Sequence, residues 1–97
     1  MDLFENEAYR LLIKALVSID NEEECCAFLD DLMTMKELND ISQRLQVAKM
    51  LSSQTVYNKI VEETGASTAT ISRVNRAYLY GKGGYTKILE KISEEEK

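Results

Sequence analysis

Thr55-Val56-Tyr57-Asn58-Lys59-Ile60-Val61-Glu62-Glu63-Thr64-Gly65-Ala66-Ser67-Thr68-Ala69-Thr70-Ile71-Ser72-Arg73-Val74-Asn75-Arg76 decides the reading of this chain. Its pattern predicts a short helix from Thr55 to just before Gly65, then a second helix from about Thr68 to Tyr80. Gly65 lies where the chain must turn sharply, and a positive φ is cheap only for glycine. Ser67 is placed to cap the second helix and leave N–H groups aimed at a phosphate. Ile60 and Val61 on the first helix and Ile71 and Val74 on the second are spaced to meet in one core.

The other side of the second helix carries Ala69, Ser72, Arg73 and Arg76, at i, i+3, i+4 and i+7. Small residues at its N-terminal end let a helix enter the major groove of DNA without a clash. Hydroxyls and guanidinium groups can then meet base edges and phosphates. A helix exposed only for solubility more often carries Glu/Lys pairs there. Each feature alone also fits a plain helical hairpin; together they read as a helix-turn-helix head over residues 55–76.

Upstream, Phe4, Ala8, Leu11, Leu12, Ala15, Leu16 and Ile19 follow helical spacing, which predicts a first helix over 3–19. Asp20 or Asn21 caps a second, whose first turn holds Glu22, Glu23 and Glu24, favourable at the positive end of a helix. Thr34 opens a third as a capping box with Glu37. Leu38, Ile41, Leu45 and Ala48 form its stripe, and it ends near Ser52. Downstream, Gly81, Gly83 and Gly84 break the pattern before a last helix from about Thr86 to Ile92. The fold class is therefore all-α, about six helices in a single domain spanning residues 1–97. Residues 1–51 and 85–93 supply its dimerisation and core helices.

The chain has 97 residues and a formal net charge of −5, which at first disfavours a nucleic-acid ligand. The distribution reverses that impression. Residues 1–40 hold eleven acids against three bases, whereas residues 41–89 hold seven bases against Glu62 and Glu63 alone. Phosphate binding depends on the local patch and not on the total. Histidine is absent, and no phosphate loop, nucleophile motif or metal cluster is visible, so neither an enzyme, a catalytic residue nor a metal site is expected. The only cysteines, Cys25 and Cys26, are adjacent; they cannot chelate as a Cys-x-x-Cys pair does and read as thiols beside an apolar face. No run of about 18 apolar residues exists to span a membrane. No signal-type N-terminus is seen, and a cytoplasmic location is expected.

At this point the chain resembles the tryptophan repressor family, in its repressor-like YerC/YecD branch, over about residues 29–92. The resemblance is carried by Leu32-Met33-Thr34, by Ser42-Gln43-Arg44-Leu45 and above all by Gly65-Ala66-Ser67-Thr68-Ala69-Thr70-Ile71-Ser72-Arg73. It implies an intertwined homodimer whose two heads read a palindromic operator in double-stranded DNA, and hence a sequence-specific transcriptional repressor. By position it implies that Tyr57, Asn58 and Val61 lie near DNA and that Thr68, Ala69 and Ser72 face bases. With the basic and capping residues added, the expected DNA-binding set is Tyr57, Asn58, Lys59, Ser67, Thr68, Ala69, Ser72, Arg73 and Arg76.

The resemblance also implies an amino-acid corepressor held by Arg44 and Arg73, with Thr34 lining the same pocket. One position departs. Tryptophan-binding members carry glycine after the second arginine, where this chain has Val74. Tryptophan is therefore not expected as its corepressor, no other cofactor is implied, and any small-molecule effector is left unnamed. The alternative reading is a helical protein-interaction or assembly module that has lost DNA binding. Its acidic flanks favour that reading and the Arg73/Arg76 face opposes it.

Overall fold

The computed structural model describes residues 2–96; Met1 and Lys97 lie outside them. Six α-helices and one 3₁₀ turn account for the regular structure of the described residues: η1 (Leu3–Glu5), α1 (Glu7–Ser18), α2 (Glu22–Leu32), α3 (Met35–Ser52), α4 (Tyr57–Thr64), α5 (Thr68–Tyr80) and α6 (Gly84–Glu95). The all-α expectation holds. The chain divides after Thr34 into two compact units.

In the first unit the helix expected over 3–19 is interrupted. Asp2 caps η1 by accepting from the Phe4 N–H, and Asn6 then caps α1 by accepting from the N–H groups of Ala8 and Tyr9 at 2.9 and 3.2 Å. A short amide side chain that satisfies two otherwise orphaned donors holds its own backbone extended, and the helix restarts there. Asn21, not Asp20, caps α2, accepting from the Glu24 N–H at 2.8 Å. Cys25 is half-buried and Cys26 exposed, both as free thiols. No described residue of this unit is buried, and Phe4, Leu11 and Val17 are each more than 70% exposed.

The second unit holds a core of Val47 and Ala48 from α3, Ile60 from α4, Ala66 from the turn, and Ile71 and Val74 from α5. Met50, Leu51, Val61, Tyr85 and Leu89 pack around it. α3 is the spine: α4, α5 and α6 all pack on it, α4 also meets α5, and α5 meets α6. The expected α3 stripe is corrected here. Ala48 is buried, but Ile41 and Leu45 are exposed, while Val47, absent from that stripe, is fully buried. The face of α3 turned to the core runs through Gln43, Val47 and Leu51, spaced i, i+4, i+8, and the polar residue at its head conceals it from a search for apolar periodicity.

The end of α3 sets the start of α4. The Gln54 N–H donates to the Leu51 carbonyl at 2.9 Å and the Thr55 N–H to the Met50 carbonyl at 3.0 Å. Gln54 itself has a φ of 60°. This is a Schellman closure with a left-handed residue at the position where glycine is favoured. Because Thr55 belongs to that closure, α4 begins at Tyr57 and not at Thr55, with Val56 as an extended cap. α6 is longer than the expected 86–92. Gly83, at φ 81°, turns the chain so that the helix starts at Gly84, and it runs on past Ile92 through Ser93 to Glu94 and Glu95, of which the glutamates are good helix formers.

Candidate nucleic-acid interface

Three residues, Gly65-Ala66-Ser67, join α4 to α5. Gly65 is left-handed, φ 71° and ψ 5°, and its N–H closes α4 on the Val61 carbonyl at 2.9 Å. The Thr64 hydroxyl donates to the Ile60 carbonyl at 2.7 Å and accepts from the Ala66 N–H at 3.1 Å. Ala66 is buried, which pins the middle of the turn to the core. Ser67 caps α5 as expected, accepting from the Thr70 N–H at 3.1 Å while its own hydroxyl donates to Thr70 Oγ1 at the same distance. The serine hydroxyl is thus committed within the chain, and the N–H groups of Thr68 and Ala69 are left open at the positive end of α5.

The expected two-faced character of α5 is present. Ile71 and Val74 are buried at 0% and 3% exposure, whereas Thr68, Ala69, Ser72, Arg73 and Arg76 are all exposed. On α4, Ile60 is buried and Val61 half-buried, while Tyr57, Asn58 and Lys59 are exposed. Lys59 pairs loosely with Glu63 at 3.9 Å, both side chains being more than half exposed. Such a pair contributes little and leaves the ammonium able to exchange its partner for a phosphate. All nine residues expected at DNA are therefore accessible.

Beside this head, Arg44 of α3 and Arg73 and Val74 of α5 line a cleft of about 170 Å³ together with Asp40, Gln43 and Thr70. Three of the four expected effector residues are brought together there; Thr34 is not one of the six and closes the first unit. Asp40 is engaged by Lys36 at 3.0 Å, not by either arginine. Val74 stands at the cleft with its side chain in the core. Sequence reasoning missed Asp40, Gln43 and Thr70. Apolar spacing does not mark Gln43, because it is the polar head of the Gln43, Val47, Leu51 face. No group of three or more acidic, cysteine or histidine side chains able to hold a metal exists among the described residues. No helix is long and apolar enough to cross a membrane.

A profile of the family described as Trp repressor protein matches residues 7–93. The chain belongs to the Trp repressor family. It is a family of DNA-binding regulators and not of enzymes. The uncharacterized protein YerC of Bacillus subtilis strain 168 is 47% identical over 85 residues, covering 88% of this chain and 82% of YerC. Among solved Trp repressor relatives, a candidate Trp repressor from Staphylococcus aureus superposes with a TM-score of 0.88 at 44% identity, covering 96% of this chain and 95% of that one. A TrpR-like protein from Eubacterium eligens ATCC 27750 gives 0.87 at 43% identity, with 91% of each chain covered. The YerC-like branch of the Trp repressor family, expected from the Gly65–Arg73 block, is thereby the right placement.

Proposed function

We propose that this protein is a cytoplasmic transcriptional repressor that binds a palindromic operator in double-stranded DNA as an intertwined homodimer. The observation that carries this reading is the division of α5. Ile71 and Val74 fix the helix to the core, and the opposite face is small at its N-terminal end and basic beyond it. The four outward positions Ala69, Ser72, Arg73 and Arg76 suit a helix lying in a major groove, with hydroxyls for base edges and arginines for guanine or phosphate. Membership of the Trp repressor family supports it.

The dimer follows from what one chain leaves wet. No described residue of the first unit is fully buried, and Ile41, Leu45, Ile88 and Ile92 of the second remain between 37% and 48% exposed. A second copy related by a twofold axis covers both sets and completes residues 1–97 as one domain of an interlocked pair. Two heads on a twofold axis call for a palindromic site.

For the cleft, Arg44 and Arg73 suit an anionic effector, and Val74 excludes tryptophan as the corepressor. The family resemblance implies that an indole needs bare backbone at this position, and here Val74 lines the cleft and carries a branched side chain into the core. The test of function is selection from a random duplex pool followed by a salt titration. A selected palindrome bound with a steep salt slope supports the reading. No selection, together with salt-insensitive retention, supports the assembly-module alternative instead.

A further inference from the structure

The side-chain hydrogen bonds of the turn described above reach no further than four residues. One other spans 21 positions: Gln43 Nε2 on α3 donates to the Thr64 carbonyl at 3.1 Å, in a part-buried setting. Thr64 is the last residue of α4, and the last four carbonyls of a helix have no partner within it. In a helix of eight residues that is half of them. The Val61 carbonyl is taken by Gly65 and the Thr64 carbonyl by Gln43. Gln43 also sits on the core-facing side of α3, four residues before Val47, so its amide is held by the same packing that holds the spine.

We propose that Gln43 is the positioning residue of the reading head. Its amide fixes the C-terminal end of α4 against α3, and through Thr64 it fixes the turn that aims the N-terminal end of α5. Without that donor, α4 and α5 stay on the core through Ile60, Ile71 and Val74, but the Thr64 carbonyl is orphaned in a part-buried place and the turn relaxes toward water. Loosening of this kind harms discrimination between sequences more than attraction to DNA. Base contacts need alignment of an ångström or less, and phosphate attraction does not. The proposal rests on the DNA-binding reading given above.

The test uses Gln43→Met, which keeps length and apolar stem and removes the donor, and Gln43→Glu, which sets an acceptor against the carbonyl. Binding is measured by anisotropy to a duplex selected by the wild-type protein and to a mixed-sequence duplex. Amide hydrogen exchange is followed in the same samples. The expected result is a selected-over-mixed ratio lowered about tenfold in both variants, with mixed-duplex affinity within about twofold of wild type, the scale of one misaligned base contact. Exchange at the Gly65 and Ala66 N–H groups quickens while that of Val47 and Ala48 in α3 is unchanged.

An unchanged ratio with unchanged exchange overturns the proposal. So does quickening of all four amides together, which is plain loss of stability. A lowered ratio without local quickening overturns it too, since Gln43 then touches DNA itself. If wild-type protein selects no duplex, the DNA reading fails, and the exchange data alone decide whether Gln43 positions the turn.

Discussion

Arg73 and Val74 are adjacent on α5, about 100° apart around the helix, and end in different surroundings: Arg73 is exposed, whereas Val74 is 3% exposed and packs with Ile60, Ile71 and Val47. One peptide unit therefore separates a group offered to an anion from a group that anchors the helix. Substitutions on the two sides are expected to fail in different ways.

On the outward side, Arg73→Ala and Arg76→Ala are each expected to weaken binding to all duplexes alike. Each also lowers the salt slope by about one. Folding is unaffected, because neither side chain makes a hydrogen bond or ion pair with a described residue. Changes at Thr68 and Ser72 alter sequence preference more than affinity. Ser72→Glu places an anion against the phosphates and abolishes binding; a Ser72→Glu protein that binds the selected duplex like wild type would falsify the assignment of α5 to the groove. Anisotropy titrations at several salt concentrations give both quantities.

On the inward side, titration calorimetry with tryptophan is expected to show no saturable heat, and added tryptophan leaves duplex binding unchanged. Forcing an indole against the Val74 side chain carries an overpacking penalty of about 1–3 kcal/mol, enough to remove one or two orders of magnitude in affinity. Val74→Gly opens that space and is expected to gain affinity for indole compounds. It loses about 2 kcal/mol or more of stability through the lost core side chain and the glycine in mid-helix. Stoichiometric tryptophan binding by the wild-type protein that also tightens DNA binding defeats this prediction.

Gln54 and Gly65 give a matched pair. Both are left-handed, at φ 60° and 71°, but only one is glycine. Gln54→Gly is expected to stabilise the protein by about 0.5–1 kcal/mol, since the strain relieved at a left-handed position exceeds the added freedom of the unfolded chain. Gly65→Ala is expected to destabilise by about 1–2 kcal/mol. A Cβ at Gly65 meets nothing within 4 Å, so the whole effect is conformational. Urea denaturation at fixed protein concentration measures both, and opposite signs are required.

The unburied first unit makes a further prediction. Sedimentation at micromolar concentration is expected to show two chains per particle. Leu11→Asp or Val17→Asp, at positions 71% and 79% exposed, is expected to dissociate it, although neither residue is buried within one chain. A compact folded monomer at that concentration counts against the dimer, and so does an Asp variant that still sediments as wild type.

What could be read from the amino acids alone followed local chemistry. Ser67, Asn21 and Gly65 perform the capping and turning their side chains, or lack of one, prescribe. The buried and exposed faces of α5 came from spacing alone. What escaped depended on contacts distant in sequence or on neighbouring backbone. The start of α4 moved because Thr55 is used to close α3. The true core face of α3 was hidden because Gln43, a polar residue, leads it, and its role depends on a carbonyl 21 residues away. Asn6 broke the helix expected over 3–19 because two backbone donors converge on its side chain, a competition that apolar spacing cannot register.

The two faces of α5 also bear on how relatives of this protein could diverge. On the proposed DNA-binding reading, the thirteen residues of α5 carry core and code back to back. With side chains, a helix has a radius of about 5–6 Å, so a rotation of about 20° about its axis displaces every outward group by about 2 Å. That exceeds the tolerance of a hydrogen bond, about 0.5 Å in length. A volume change at Ile71 or Val74 that rolls the helix by this amount re-registers Ala69, Ser72, Arg73 and Arg76 together. Lineages can thus drift to new operators with every base-facing residue unchanged, and identity along the recognition face does not by itself guarantee a shared target.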